Sequence, residues 1–259
     1  MLENEINKDI ATTFLKGLSV IEAFDHENPS MTLTDVAKKV NITRSSARRF
    51  LLSLESLGYA TQNDKLFSLT PKIINLGYSY FASLSWTDLA YKYVKMVVKE
   101  CKLSCAVSIL DGENITCIMR VNSSKILKGG IHVGGKLPAP YTATGRLFMA
   151  EMDDNELYEY ISKTPLRKYT SKTITDPNKL FEKIKSERNQ PYQVIEEELE
   201  DGLLAIAAPI YDSHHKILGC MTIGTYMSEE NAKYLKEYVL PMLIDAANNA
   251  TEAIVLLKH

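Results

Sequence analysis

Three arginines, Arg44, Arg48 and Arg49, fall within six positions of the stretch "NITRSSARRF". A guanidinium carries a planar fork of donors, so it can grip a guanine edge or a phosphate with two hydrogen bonds at once. Thr43, Ser45 and Ser46 add hydroxyls to the same stretch. Around them, residues 31–80 hold seven Lys or Arg and three Asp or Glu, net +4, on a chain whose formal charge is −2. A solvated helix face would explain one such arginine. Three arginines, the hydroxyls and a local positive excess together point to a duplex-DNA contact surface. Thr43, Arg44, Ser45 and Ser46 would meet base edges, with Arg48 and Arg49 one turn later reaching a base or a phosphate. Thr32, Lys38, Lys39 and Lys65 complete the expected contact set, the lysines holding phosphates without reading sequence.

Other chemistries fit less well. A hydrolytic enzyme would need Cys105 or Cys117 beside His132, or the acidic run Glu196 to Asp201. No GxSxG, HExxH or phosphate-loop motif accompanies them. His132 alternates with Ile131 and Val133, which reads as a strand residue rather than a base. His214 and His215 fall in an expected polar turn. The four cysteines form no CxxC pair and read as reduced, buried thiols. No cofactor and no metal site are expected.

The arginines need elements to aim them. "ATTFLKGLSVIEAF" has helical spacing of Phe14, Leu15, Leu18, Ile21 and Phe24. "DHENPSM" breaks that helix. "TLTDVAKKV" is a second short helix, capped by Thr32 or Thr34. A turn at "NIT" leads into a third helix through "RSSARRFLLSLESLG", ended by Gly58. "YATQND" and "KLFSLT" form a hairpin with Asn63-Asp64 at its tip. Helix, helix, turn, helix and a two-stranded wing make a winged helix-turn-helix, in which the helix after the turn enters the major groove. Thr70 caps and Pro71 begins a linker helix with two apolar faces, one through Ile73, Leu76, Tyr80 and Leu84, the other through Ile74, Tyr78 and Phe81. A monomer buries only one, so a homodimer is expected, or a tetramer built from dimers. Residues 1–70, 71–86 and 87–259 are thus read as DNA-binding domain, linker helix and a further domain. The third reads as an α+β domain with an antiparallel sheet: a helix at "WTDLAYKYVKMVVKEC", a hairpin about Asp111-Gly112, a strand and Gly/Pro loop at "KGGIHVGGKLPAP", three helices, strands from "YQVIEEELEDGLLAIAAPI" and "HKILGCMTIGTYM", and a closing helix.

Length and composition agree with a folded protein of two domains, 45% apolar and 24% charged. "MLENEINKDI" carries no apolar core of a secretory signal, and "GLLAIAAPI" is too short to span a bilayer. A cytoplasmic protein without membrane contact is the expectation.

The chain resembles the IclR family of bacterial transcriptional regulators. "GLSVIEAFDHENPSMTLTDVAKKVNITRSSARRFLLSLESLGYA" is similar to that family's DNA-binding domain and "LTPKIINLGYSYFASLS" to its linker helix. "VGGKLPAPYTATGRLFMA" and "EEELEDGLLAIAAPI" resemble two motifs of its effector domain. "LPAPYTATGR" and "TITDP" are closest to the branch controlling aromatic-acid catabolism. The resemblance implies a GAF-like effector domain, a small organic acid as ligand, and dimers or dimers of dimers on a palindromic operator. Carried over by position, the pocket falls on Ala143, Thr144, Glu196, Leu203, Ala205, Thr222 and Gly224, with Met119, Arg120, Tyr141 and Thr142 as neighbours. The effector's carboxylate would sit on the unpaired N–H groups that open the helix at Ala143, where Gly145 would keep the backbone approachable. Arg120 would supply charge, and Glu196 or Thr222 would fix a ligand hydroxyl. The alternative is a DNA-binding regulator whose second domain serves assembly alone.

Overall fold

The computed structural model describes residues 10–25, 27–123 and 130–256. The charged N-terminal segment, Lys128-Gly129 before the Gly/Pro loop, Leu257 of the closing helix and the Phe81 side chain lie outside that description. The chain forms two compact units that part between Leu84 and Ser85.

The first unit runs α1 (Thr12–Glu22), β1 (Ser30–Thr32), α2 (Leu33–Lys39), α3 (Arg44–Ser56), β2 (Ala60–Asn63), β3 (Leu66–Leu69) and, after a 3-10 turn at Pro71–Ile73, α4 (Ile74–Ser83). Thr32 caps α2 reciprocally: its hydroxyl accepts from the Asp35 N–H at 3.3 Å and donates to the Asp35 carboxylate at 2.6 Å. Asn41 ends α2 in the left-handed region at φ 54°, which short polar side chains tolerate. The Ile42 N–H then closes on the Ala37 carbonyl, which fixes the angle at which α3 departs. Gly58, at φ 76°, ends α3 in the same way. Val20, Val36, Ala37, Ala47, Leu51 and Phe67 form the small core.

Two details differ from the sequence reading. The wing has three strands, because β1 pairs with β3 through Ser30↔Ser68 to Thr32↔Leu66. Three residues after a proline carry no period that could announce a strand. The hairpin tip is Asp64-Lys65, one residue later than expected, since Asn63 pairs with Leu66 and Asp64 takes the left-handed turn position.

In the second unit a six-stranded antiparallel sheet has the order β6-β5-β4-β9-β8-β7. Its strands are β4 (Cys105–Asp111), β5 (Asn114–Val121), β6 (Lys136–Pro138), β7 (Gln193–Glu196), β8 (Leu203–Tyr211) and β9 (Ile217–Tyr226). The helices are α5 (Trp86–Cys101), α6 (Ala143–Ala150), α7 (Asp154–Lys163), α8 (Pro177–Glu187), α9 (Glu229–Tyr234) and α10 (Leu240–Leu256), with a π turn at Leu235–Val239 joining the last two. This is an α+β domain with the antiparallel sheet that the GAF-like resemblance implies. Gly219 lies beneath Trp86 of α5 and beside Val107, so Val107 marks the α5 face. Ala106 and Ser108 alternate to the other face, where α6 packs through Leu147 onto Ala207 and Cys220. The four cysteines are buried thiols, and burial pushes Cys105 up to about 12.

His132 sits in a loop, not a strand, since β6 starts only at Lys136. The loop's Gly134 has a positive φ of 82°, and a hydrogen bond from the Gly135 N–H to the His132 carbonyl curls the chain. His215 falls in the expected turn and stacks on Tyr211 at 4.3 Å. The continuous helical run Glu229–Leu256 is long and apolar enough to cross a bilayer by length and composition. Its Leu235, Val239, Leu243, Ala247, Ala250 and Ile254 are buried, as in a core helix packed on α5 and β8.

Candidate functional site

The first unit presents α3 to solvent along one side. Ala47 and Leu51 bury the opposite side, which leaves Arg44, Ser45, Arg48 and Arg49 exposed. Arg44 and Arg48 lie four apart and share a stripe, with Ser45 and Arg49 forming the next. Thr43 caps the helix, its oxygen accepting from the Ser46 N–H at 3.2 Å and lying 3.0 Å from the Ser45 hydroxyl. Lys39–Asp25, at 2.6 Å, is the unit's one ion pair among the described residues. The three arginines therefore keep their charge for an external anion. Lys38 and Lys65 are exposed, the latter at the wing tip. Lys39 is committed to Asp25, Thr32 to its cap, and Lys72 to the Leu57 carbonyl and the Tyr59 ring. Those three side chains make their contacts within the unit.

The second unit holds a partly open cavity of about 370 Å³ between the sheet and the start of α6. That volume suits a small organic molecule. Its floor is Ala106, Ala205 and Gly224 on adjacent strands, and its walls include Ile115, Ile131, Leu137, Ile195 and Leu203. Polar groups converge on it from Arg120, His132, Tyr141, Thr144, Glu198 and Thr222. Thr144 and Thr222 join their hydroxyls at 2.6 Å, pinning α6 to β9. Thr142 caps α6 by accepting from the Gly145 N–H at 3.0 Å. Arg120 donates from Nη1 to the Ile131 carbonyl at 2.6 Å and from Nε to Asn122 at 2.7 Å.

Behind the cavity lies a buried charge cluster. Arg146 has no exposed surface. Its Nε donates to the Pro140 carbonyl at 2.6 Å and its Nη2 to Glu198 at 2.7 Å, while Glu187 stands 3.9 Å from Nη1. Lys183 pairs with Glu187 at 2.6 Å, so the four charges sum to zero. Burial pushes the Glu198 carboxyl up, against the pull of Arg146. The same burial works against the charge of Arg146, which Glu198 and Glu187 sustain.

The IclR helix-turn-helix domain profile matches residues 14–64, and the profile for the C-terminal domain of bacterial transcriptional regulator IclR matches residues 78–252. The chain belongs to the IclR family. The family and its named members are transcriptional regulators, and this IclR-family protein is one of them rather than an enzyme. It is 34% identical to the Pca regulon regulatory protein of Pseudomonas putida, over 93% of this chain and 83% of that one. With the p-hydroxybenzoate hydroxylase transcriptional activator of Acinetobacter baylyi it shares 28% identity, covering 93% and 91%. Among solved structures it resembles the inducer-binding domain of a doubly mutated PobR transcription factor from Acinetobacter, in complex with 3-hydroxybenzoic acid. That likeness has a TM-score of 0.59 and 26% identity, covering 63% of this chain and 96% of that one.

In this IclR-family protein, nine of the eleven residues expected at the pocket line the cavity: Arg120, Tyr141, Thr142, Ala143, Thr144, Leu203, Ala205, Thr222 and Gly224. Met119 and Glu196 do not. Met119 pairs with Val107 and so points to the α5 face. Glu196 pairs with Leu204, on the face opposite Ile195 and Ala205, and binds Lys236 at 2.5 Å. Both err by one residue, and one residue in a strand is the other face. The acidic groups at the cavity are Glu198 and Glu200, which follow a left-handed Glu197 and so escape any period-two reading. His132, Ala106 and Ser104 were also missed. Gly145 is small for a different reason from the one expected: a Cβ there would stand 2.0 Å from the Ala139 carbonyl oxygen.

Proposed function

We propose that this protein is a sequence-specific transcriptional regulator that binds a palindromic operator as a homodimer, or as a tetramer of two such dimers, and answers a small aromatic acid held in the cavity of the second unit. A DNA-binding regulator of this kind works in the cytoplasm, where the chromosome is. The observation that carries the effector reading is the partly open cavity of about 370 Å³, with an apolar floor and a few convergent polar groups. The PobR domain bound to 3-hydroxybenzoic acid supports a ring-sized acid. A second domain that served assembly alone would have no need of such a space.

Filling the cavity tests this. In Ala205→Phe the ring should occupy the floor and abolish effector binding. A thermal-shift screen of aromatic carboxylates on the parent should find at least one acid that raises its stability by ~2.7 kcal/mol at a hundredfold excess over Kd. Ala205→Phe should show no shift with that acid and bind operator as the parent does. A shift of equal size in both proteins would place the effector elsewhere.

The dimer reading rests on α4. Ile74 and Tyr78 are 68% and 66% exposed, four residues apart on one stripe, and Leu76 and Tyr80 are exposed as well. Phe14, Leu15 and Leu18 of α1 add to the apolar surface of this unit. Such a run of large apolar side chains marks an association surface. Substituting Ile74→Glu and Tyr78→Glu together should force charge into that contact and lower the mass measured by light scattering to that of one chain. If mass and operator affinity stay at parental values, the subunits meet through other residues.

A further inference from the structure

We infer that the outer edge of β7 is a docking slot for an extended, acidic segment of a partner protein, which joins the sheet as one more strand. The slot lies outside the effector cavity, with Glu198 bordering both.

The six-stranded sheet ends at β6 on one side and at β7 on the other. β6 has three residues and closes on Pro138, which cannot donate to a further strand. β7 has no such stop. Glu197, one residue beyond it, donates its N–H to the carbonyl of Leu203 at 2.7 Å. In an antiparallel ladder such bonded pairs recur at every second residue, so Gln193 and Ile195 are the residues of β7 that bond to β8. Val194 and Glu196 therefore turn their N–H and C=O groups outward. These groups have no hydrogen-bond partner among the described residues. Two donors and two acceptors at strand spacing form a template for another chain.

An open groove of about 540 Å³ lies against this edge. Its walls come from both faces of the sheet. On the α6 face stand Lys183 of α8 and Lys172 of the loop before it, and on the α10 face stand Lys236 and Leu240. Each lysine is tied to a glutamate: Lys183 to Glu187, Lys172 to Glu197 and Lys236 to Glu196. The lysines stand further out than their partners. The Lys183 side chain is 48% exposed against 11% for Glu187, and that of Lys172 is 52% against 23% for Glu197. An arriving strand meets ammonium groups first, and acidic side chains complement them. A second copy of this edge fits less well, because pairing about a two-fold axis would bring the same lysines toward their own copies.

The two faces also set the order of side chains on the incoming strand. A residue that bonds to Val194 or Glu196 points to the α10 face, beside Val194 and Leu240, which suits an apolar side chain. Its neighbours point to the α6 face, toward Lys172 and Lys183, which suits Glu or Asp.

Fluorescence anisotropy with the full-length chain and labelled acetyl-Glu-Val-Glu-Val-Glu-amide tests this. The parent should bind the peptide with a Kd of roughly 10–500 μM, and should bind a Lys-Val counterpart at least about tenfold more weakly. N-methylation of the valines removes the N–H groups aimed at β7 and should cost about tenfold or more, while N-methylation of the glutamates should change affinity by less than about threefold. Val194→Pro removes one outward N–H and leaves the bonds to β8 alone, so it should weaken the peptide by about tenfold with operator affinity unchanged. Lys172→Ala and Lys183→Ala together should cost about 3- to 10-fold. The slot is wrong if the parent binds no peptide or binds the Glu and Lys forms alike, since the lysines then only guard the edge. It is equally wrong if both N-methyl patterns, or neither, lower affinity. A light-scattering mass that halves in Val194→Pro without peptide would show instead that the edge joins two copies of this chain.

Discussion

Replacing Arg44, Arg48 and Arg49 together with Ala should lower affinity for the operator by on the order of 1,000-fold, at about 1–3 kcal/mol for each good bidentate contact and less for a phosphate contact. The three are exposed on one side of α3 and have no ion-pair partner among the described residues, so their loss should leave the fold intact. Single substitutions should separate their roles. Arg44→Ala, at the helix start, should relax discrimination at one base position. A residue that touches phosphate alone should weaken every sequence equally and reduce the dependence of binding on salt. Gel-shift titrations against operator and scrambled duplex at two salt concentrations would read both. Operator affinity equal to the parent's in the triple variant would remove α3 from the interface.

Arg146→Met should be the most damaging single change in the second unit. It leaves Glu198 buried without its cation, and Glu187 with Lys183 alone. Breaking a buried pair by removing one partner costs about 3–5 kcal/mol, which for a unit of this size is a fall of roughly 6–20 °C in melting midpoint. The loss should depend on pH. Burial already raises the Glu198 carboxyl above its ordinary value, and without Arg146 it should rise further. A carboxyl raised by folding binds its proton more tightly folded than unfolded. Its penalty is absent below the unfolded pKa and complete above the folded one. The midpoint deficit should therefore be larger at pH 8 than at pH 5. Calorimetric midpoints within about 2 °C of the parent at both pH values would show that the cluster holds little.

How far the sequence reveals this protein depends on the length of the signal. Helices α2 and α3 announce themselves through caps, a glycine stop and two turns of periodic apolar residues. Strand β1 has three residues and no such signal. Residues fixed by a motif, such as Ala143 and Thr144, line the cavity, because a helix start is tied to its cap. Residues placed by counting along strands are exposed to an error of one position, and Met119 and Glu196 show what that error does. Glu198 and His132 lie in loops, where no period exists to count. The Arg146 cluster brings together residues more than 40 apart in sequence, and nothing local in "TATGR" says that its arginine is buried.

The floor of the cavity has a consequence for descent. Ala106, Ala205 and Gly224 are short side chains on strands whose pairing involves only backbone. A Cβ at Gly224 would meet nothing closer than 3.7 Å. Methyl-sized changes there reshape the space without disturbing the ladder beneath. A lineage can thus reshape this cavity through single codons, while α3 and the sheet that holds the unit together stay as they were.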